Sequence, residues 1–274
     1  MGTVGSGTFN LISKNNAEIE RRIGRKIKIA QVGCRRDHPD CNLANVEVSR
    51  DIFDVARNPD IDIVIEVIGG LDVARSLVLE AIRNGKHVVT ANKALIAEYG
   101  QEIINAAAKK GVQVKYEAAI AGGIPVVKAI QEGLAANRIE WIVGIINGTS
   151  NYILSQMSDL ASNLSFADVL KDAQKLGYAE VDPTFDVEGV DAAHKLTILS
   201  SIAFGLPLSF DAIYTEGISK ITSEDIGYAR EMGYVIKHLG IARAHKDTVE
   251  MRVHPCLVAK DHMLAQVNGV MNAV

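Results

Sequence analysis

Five carboxylates and a lysine are concentrated between residues 176 and 196, in the stretch LGYAEVDPTFDVEGVDAAHKL. The six side chains are Glu180, Asp182, Asp186, Glu188, Asp191 and Lys195. From about Val190 onward the apolar residues recur at intervals of three and four, which predicts a helix. Asp191 and Lys195 are four residues apart, so that helix would carry both on one face. A carboxylate-rich loop that faces a lysine suits a small substrate with an ammonium group and a reactive oxygen.

The same stretch has two simpler interpretations. Acidic loops and Asp–Lys pairs on helices are often hydrated surface without any binding role. A calcium-binding loop is the second interpretation, and the spacing excludes it. With Asp182 as the first ligand, Val187 occupies the position that requires glycine and Ala193 occupies that of the final glutamate.

Composition narrows the class of protein. The chain has 274 residues, of which 48% are hydrophobic and 23% are charged, as in a globular protein with a sizeable core. A net charge of −4 without a basic run predicts no binding to nucleic acid. No apolar stretch approaches the length of a membrane span and no signal-peptide pattern is present, so no membrane association is expected. An odd number of cysteines without metal-ligand spacing predicts a reducing, cytoplasmic location; they are Cys34, Cys41 and Cys256.

The first half of the sequence alternates strands and helices. Helices are predicted at 72–85 and after residue 91 as far as Lys110, and strands at 26–33, 61–70, 86–91 and 112–118. This alternation predicts an α/β fold with a doubly wound parallel sheet, which binds nucleotides at the carboxyl edge of its strands.

Two features of this half predict a bound dinucleotide. The last four positions of a G-x-G-x-x-G turn, which brings a pyrophosphate to the N–H groups of a helix N-terminus, are matched by Gly2, Thr3, Val4 and Gly5. A flexible N-terminal tail is the alternative. Arg35 and Arg36 follow the strand at 26–33 and suit a ribose 2′-phosphate, which favours NADP over NAD, although Asp37 comes next.

Two more sites are predicted beyond the ends of strands. Thr90 and Lys93 belong to the segment TANKA and are candidate cofactor-binding residues, although Lys93 also fits a solvent-exposed lysine at a helix start. Inward carbonyl groups at the Gly-Pro bend of residues 122–125, with the carboxylate of Glu117, could hold a hard cation. An ordinary tight turn explains the same spacing. The histidines lack the spacing of transition-metal ligands.

The alternation stops at about Pro125, which predicts a domain boundary near residue 128. The predicted units are a dinucleotide-binding domain at 1–128 and an α+β domain at 129–274. In the second domain a strand is predicted at 138–147, and two more strands are predicted from residues 235 and 248. Helix caps are predicted at Ser165, in a capping box with Asp168, and at Ser223.

Together these parts predict hydride transfer. A nicotinamide cofactor carries the redox chemistry, and protein groups position the reacting carbon and handle the proton. Hydride addition to an aldehyde creates an alkoxide, which a lysine within hydrogen-bond reach can stabilise and protonate. With carboxylates holding an ammonium group, the residues indicate an amino-aldehyde or amino-alcohol dehydrogenase.

Four segments resemble the homoserine dehydrogenase family, in an order that extends over essentially the whole chain. They are GKHVVTANKAL, EAAIAGGIP, GIINGTSNYIL and LGYAEVDPTFDVEGVDAAHKL. The resemblance implies NAD(P)H-dependent interconversion of L-aspartate 4-semialdehyde and L-homoserine, on the route to threonine, methionine and isoleucine. It also implies a homodimer formed through the second domain.

The resemblance further implies roles for individual residues. Lys195 corresponds to the catalytic proton donor, and Lys93 to a second active-site lysine beside the cofactor. Glu180 corresponds to the substrate-binding glutamate, Asp191 to a supporting acidic residue, and Gly177 to a position against the nicotinamide. A monovalent cation, expected to be sodium, would be bound by Glu117 and by the backbone carbonyls of Ile120, Gly122 and Ile124.

Departures from the family pattern carry their own expectations. Members begin with a complete first strand and G-x-G-x-x-G turn, and they continue beyond a stretch like 272–274, so the chain is expected to be truncated at both ends. Loss of a central strand would leave unpaired backbone groups and a gap in the core, which predicts weak NADP(H) binding. The sequence is also compatible with two other functions: another oxidoreductase on the same architecture, such as an aspartate dehydrogenase, and a non-catalytic truncated product.

Overall fold

The computed structural model describes residues 1–36, 38–159 and 164–274, so Asp37 lies outside the described residues. The chain divides into Met1–Ala119 and Ile120–Val274, here called unit 1 and unit 2. This division falls after a 3₁₀ turn at Glu117–Ala119, somewhat before the boundary predicted near residue 128.

Unit 1 alternates helices and strands, as predicted. In chain order its elements are α1 (Thr3–Ile23), β1 (Gln31–Gly33), β2 (Glu47–Ser49), α2 (Ile52–Arg57), β3 (Ile63–Glu66), α3 (Asp72–Arg83), β4 (His87–Thr90), α4 (Lys93–Lys110) and β5 (Val114–Lys115). The strands are shorter than predicted. In the segment 26–33 only the last three residues form a strand, because only they pair with a neighbour.

The strands of unit 1 form two parallel sheets. β1 pairs with β2, and β3, β4 and β5 lie side by side in that order. The predicted parallel pairing of the strands is therefore confirmed, but the strands form two separate sheets and not one. Within the described ranges no strand joins β1 to β3, so each keeps one unpaired edge. Ile63 and Ile65 on β3 are 55% and 41% exposed, which leaves one face of that strand uncovered.

Local sequence explains the helices that flank these strands. α3 buries residues at intervals of three and one, namely Ala74, Leu77, Val78, Ala81 and Ile82, which is the pattern of a helix with one apolar face. α4 begins where the side chain of Asn92 accepts a hydrogen bond from the Leu95 N–H, 3.1 Å away. The Asn92 side chain also donates to the Gly70 carbonyl, 2.6 Å away, and so links the ends of β3 and β4.

Unit 2 has the predicted α+β fold. In chain order its elements are α5 (Val126–Lys128), a π-helical turn (Ala129–Gly133), β6 (Trp141–Gly144), α6 (Gly148–Met157), α7 (Phe166–Lys175), α8 (Thr184–Val187), α9 (Val190–Phe204), a 3₁₀ turn (Phe210–Ala212), β7 (Tyr214–Thr215), α10 (Ser223–Glu231), β8 (Tyr234–His245), β9 (Thr248–Ala259) and a 3₁₀ turn (Met263–Gln266).

The sheet of unit 2 has the strand order β6-β8-β9-β7. β8 and β9 form a long antiparallel hairpin whose register runs from Tyr234 opposite Ala259 to His245 opposite Thr248. One face of the sheet packs against α9, where Ala242 and Val253 share a core cluster with Leu196. The helix that carries the predicted lysine is therefore fixed on a paired sheet.

The start of α9 depends on a glycine. Gly189 precedes the helix with φ 83°, a left-handed conformation that favours glycine. A Cβ at this position would lie 3.1 Å from both the His238 ring and the Thr215 methyl group. Gly189 thus allows the chain to turn close against β8 and β7 before Asp191.

Two local predictions were wrong and one is confirmed. The capping box of Ser165 and Asp168 is present at the start of α7. The helix predicted to be capped by Ser223 is capped by Thr222, which is extended and exchanges hydrogen bonds with Asp225 in a capping box. The carboxylate-rich stretch before α9, predicted to be a loop, contains the short helix α8, whose first turn is stabilised by the Asp182 side chain.

Candidate active site

Asn147, at the corner between β6 and α6, joins two carboxylates that line a polar cavity in unit 2. It caps α6 by accepting a hydrogen bond from the Ser150 N–H, 2.7 Å away. Its side-chain amide donates to Asp186 at 2.8 Å and to Asp191 at 2.9 Å. Because Asn147 is only 5% exposed, it holds these two carboxylates at fixed positions.

Lys195 lies on α9 one turn after Asp191, and the two form an ion pair with an N–O distance of 2.7 Å. The side chains are 14% and 4% exposed, so the pair is largely removed from water. Lys195 also donates to the Ile146 carbonyl, 2.8 Å away. Since an ammonium group has three N–H donors, one remains available beyond these two acceptors of the described chain.

The cavity beside this pair has a volume of about 280 Å³. Its lining residues are Asn147, Gly148, Thr149, Tyr178, Asp186, Asp191, Lys195 and Val270. This volume is below the ~300–1,000 Å³ of pockets for drug-sized ligands, and the lining carries two carboxylates and an ammonium group. The arrangement therefore fits a small, polar, charged molecule.

The loop that precedes α8 is tied to this cavity through Tyr178. The Thr149 hydroxyl donates to the Tyr178 carbonyl at 2.7 Å, and the Tyr178 ring meets Tyr152 edge-on with centroids 5.1 Å apart. The Ser150 hydroxyl donates to the Asp186 carbonyl at 2.9 Å. These contacts hold the acidic loop against the first turn of α6.

Three residues of that loop do not line the cavity. Glu180 is exposed and does not line the cavity; its carbonyl accepts a hydrogen bond from the Gln174 side chain, 3.1 Å away. Gly177 is exposed with φ 75°. Asp182 accepts from the Thr184 hydroxyl, which lowers the pKa of its exposed carboxyl group. The roles predicted for Glu180 and Gly177 stay predictions.

The predicted cofactor residues all lie in unit 1 except Gly177. Gly2 is the N-cap of α1, so the N–H groups of Thr3, Val4 and Gly5 form the first turn of that helix. A Cβ on Gly5 would lie 3.3 Å from the Val67 side chain, so the helix start is close to the end of β3. Arg35 and Arg36 are exposed just after β1. This set of donors and cations fits an anionic dinucleotide.

Thr90 and Lys93 lie at the end of β4 and the start of α4. Thr90 is fully buried; its hydroxyl donates to the Glu66 carboxylate and accepts from the Asn92 N–H at 3.0 Å. Glu66 is 0% exposed and also accepts from the Ile68 N–H at 2.9 Å, and it was not among the residues predicted from the sequence. The position of this acidic residue inside the apolar strand predicted at 61–70 is the feature of the sequence that could have identified it.

The residues predicted to bind a cation fall at the junction of the two units in the sequence. Glu117 lies in the 3₁₀ turn that ends unit 1, whereas Ile120, Gly122 and Ile124 begin unit 2. The Ile124 carbonyl accepts from the Val126 N–H at 2.8 Å. Within the ranges described, no group of three or more His, Cys, Asp or Glu side chains is arranged to hold a metal ion. The carbonyl site stays a prediction.

A unit with parallel sheets followed by an α+β unit with a carboxylate–lysine cavity has the two parts expected of a dinucleotide-dependent dehydrogenase. Two family models match the chain. Residues 1–117 match the NAD-binding domain of homoserine dehydrogenase, and residues 125–274 match the domain described as homoserine dehydrogenase. The chain belongs to the homoserine dehydrogenase family.

Individual relatives agree with this assignment. The homoserine dehydrogenase of Pseudomonas aeruginosa is 62% identical over 274 residues, which is 100% of this chain and 63% of that protein. That of Neisseria gonorrhoeae is 52% identical over 283 residues, again 100% of this chain and 63% of the relative. The crystal structure of a homoserine dehydrogenase from Thiobacillus denitrificans superimposes with a TM-score of 0.92 at 56% identity, over 99% of this chain and 63% of that one.

The chain thus spans about 63% of the length of these relatives. This membership agrees with the resemblance to the homoserine dehydrogenase family that the sequence showed, and it does not support the alternative of an aspartate dehydrogenase. In the described part of the chain, no helix is both long enough and apolar enough to cross a bilayer.

Proposed function

We propose that the chain interconverts L-aspartate 4-semialdehyde and L-homoserine with NAD(P)H, as a homoserine dehydrogenase. The observation that carries this proposal is the buried ion pair of Asp191 and Lys195 at the wall of a small polar cavity. Family membership supplies the substrate class, and the cavity supplies groups that suit its ammonium and aldehyde ends.

Lys195 is the proposed proton donor. NAD(P)H, when bound, supplies the hydride that adds to the aldehyde carbon. The carbonyl oxygen then becomes an alkoxide, and the remaining N–H of Lys195 donates a proton to it, giving the alcohol. In the reverse direction the lysine amine accepts the hydroxyl proton. Asp191 and the Ile146 carbonyl hold the ammonium group at 2.7 and 2.8 Å, so little reorientation is needed during the step.

A second carboxylate that lines the cavity would hold the substrate ammonium. Asp186 lines the cavity and is fixed by Asn147, with one carboxylate oxygen engaged at 2.8 Å. Its second oxygen gives a charge-assisted acceptor for an ammonium group. Glu180 is the residue that the family resemblance implies for this role, and it stays part of the proposal as the alternative holder.

The dinucleotide would bind to unit 1. The N–H groups at the start of α1 suit the pyrophosphate, with Lys93 and Thr90 at the neighbouring strand end. Arg35 and Arg36 support a preference for NADP, because guanidinium groups recognise a 2′-phosphate.

The proposal also includes a sodium ion, a second copy of the chain and a cytoplasmic location. The ion would take oxygen ligands from Glu117 and the three carbonyls named above. Trp141 and Tyr214, 60% and 56% exposed, lie on the sheet face opposite α9 by register, which supports a homodimer through unit 2. All three cysteines are free thiols, which supports a reducing compartment.

The test measures NADPH oxidation by the full chain in two separate assays. One contains L-aspartate 4-semialdehyde, and the other contains oxaloacetate and ammonia, the substrate pair of an aspartate dehydrogenase. Turnover with the semialdehyde and not with oxaloacetate is expected. Turnover with oxaloacetate alone would reject the proposed substrate, and turnover with neither would support a non-catalytic chain.

A further inference from the structure

One wall of the cavity is formed by the segment of residues 267–273, here called the closing segment. Its Val270 lines the cavity, and the Val270 carbonyl lies so close to Gly148 that a Cβ there would be 2.8 Å from it. At its far end, Ala273 exchanges backbone hydrogen bonds with Ile145 at 2.8 and 3.0 Å. The segment is irregular, so its position depends on contacts with neighbouring elements.

Asn151 on α6 supplies the first of these contacts. This side chain is 0% exposed, and its amide lies 3.1 Å from the Val267 carbonyl, 3.0 Å from that of Gly269 and 3.2 Å from that of Met271. Three carbonyls on alternate residues thus point at one amide group. The contact fixes the direction in which Val270, between them, faces the cavity.

Lys237 on β8 supplies the second contact. Its Nζ donates to the Val267 carbonyl at 2.5 Å, to the Asn268 side chain at 3.1 Å and to the Asn151 side chain at 3.3 Å. Lys237 is only 2% exposed, and within the described chain no carboxylate lies within ion-pair distance of it. All three ammonium protons are therefore matched to neutral oxygens that belong to, or orient, the closing segment.

We propose that Lys237 is a positioning residue for the substrate cavity: it holds the closing segment, and through it Val270, against the cavity that contains Asp191 and Lys195. The proposal rests on the proposed function for the identity of the ligand. It does not place Lys237 in contact with substrate.

The chemistry of the position supports this role better than a purely packing one. A buried ammonium group without a counter-charge is costly, so an apolar residue would fill the same space with less penalty. What lysine adds is three donors at the end of a long side chain anchored in a paired strand. Cys256, its partner in the register of β9, shares this face of the sheet but does not offer such donors.

The test compares Lys237→Met with Lys246→Met, an exposed lysine in the β8–β9 turn. Hydrogen exchange followed by mass spectrometry measures the amide exchange rates of the closing segment, without substrate or cofactor. Calorimetric titration of the full chain with L-homoserine measures the affinity of the cavity for this ligand. In Lys237→Met, exchange in 267–273 should rise about tenfold, exchange in 249–258 should be unchanged, and L-homoserine affinity should fall about tenfold. Lys246→Met should match the wild type in all three.

Two more variants separate positioning from general damage. Val270→Ala alone should weaken L-homoserine binding without raising exchange, and the double variant Lys237→Met/Val270→Ala should bind no worse than the weaker single variant, because both changes remove the same wall. Should Lys237→Met not fold, Asn268→Ala removes one acceptor on an exposed residue and should raise exchange about threefold.

The proposal is overturned if exchange in 267–273 matches the wild type in the lysine and Asn268 variants, or if the affinity losses at Lys237 and Val270 add. A wild type that does not bind L-homoserine would instead reject the proposed function, and exchange alone would then decide whether Lys237 holds the segment.

Discussion

Replacing Lys237 with methionine should remove a pH-dependent cost from the stability of unit 2. Burial lowers the pKa of Lys237 from 10.5 to about 8. One pKa unit corresponds to ~1.4 kcal/mol, so the lowered pKa of Lys237 corresponds to about 3 kcal/mol of unfolding free energy. The cost is present in full below pH 8, where both folded and unfolded chains carry the charged lysine.

The sign follows from proton binding. Between the two pKa values the unfolded chain binds more protons at Lys237 than the folded chain does, so stability rises with pH in this range. From pH 7 to pH 10.5, the wild type should therefore gain about 3 kcal/mol relative to Lys237→Met. Burial raises the pKa of the neighbouring Cys256 thiol to about 11, but this group is present in both proteins, and its titration cancels in the difference.

Urea denaturation followed by the fluorescence of Trp141 measures this difference. Trp141 is the sole tryptophan, and it lies on β6, the strand that pairs with β8, so its signal reports the sheet that carries Lys237. Curves at pH 7, 8.5 and 10.5 would be compared for the wild type, Lys237→Met and Lys246→Met. A difference between wild type and Lys237→Met that stays constant across this range would show that Lys237 is not buried as described and would refute the reasoning.

Three further predictions concern the site. Asp186→Asn should raise the KM for L-homoserine about 10–100-fold, as expected for a lost charge-assisted hydrogen bond, whereas Glu180→Gln should raise it less than threefold; the reverse order would make Glu180 the ammonium holder. Asp191→Asn should lower kcat more than it raises KM, because the position of Lys195 depends on the 2.7 Å ion pair; a change in KM alone would contradict this. In initial-rate assays, sodium should activate the wild type more strongly than potassium does, and Glu117→Gln should reduce this difference. If the variant and the wild type respond equally to the two ions, the proposed cation site is wrong.

Local patterns in the sequence predicted the parts of the fold that local interactions decide. The apolar spacing of α3, the capping box of Ser165 and the Asp191–Lys195 pair all depend on residues within one or two turns, and each is present. Such features need no knowledge of the rest of the chain. The extent of β1 was overestimated because a strand is defined by its partner, which the apolar run of 26–33 does not specify.

The remaining site residues depend on contacts between distant segments. Asn147 is separated from Asp186 and Asp191 by about forty residues, and only folding shows that its amide joins their carboxylates. Lys237 and Asn151 acquire their role from the segment after residue 266, which has no regular pattern. The exposure of Glu180 is likewise decided by how the loop before α8 packs, not by its acidic composition.

The most direct test of the central claim is the kcat of Lys195→Met in the full chain, measured for NADPH-dependent reduction of L-aspartate 4-semialdehyde, with Lys246→Met as the control. If Lys195 delivers the proton to the alkoxide, kcat should fall by about 10²–10⁴-fold. The control should keep the wild-type rate. A kcat within threefold of the wild type for Lys195→Met would contradict the account, because another group would then have to supply the proton.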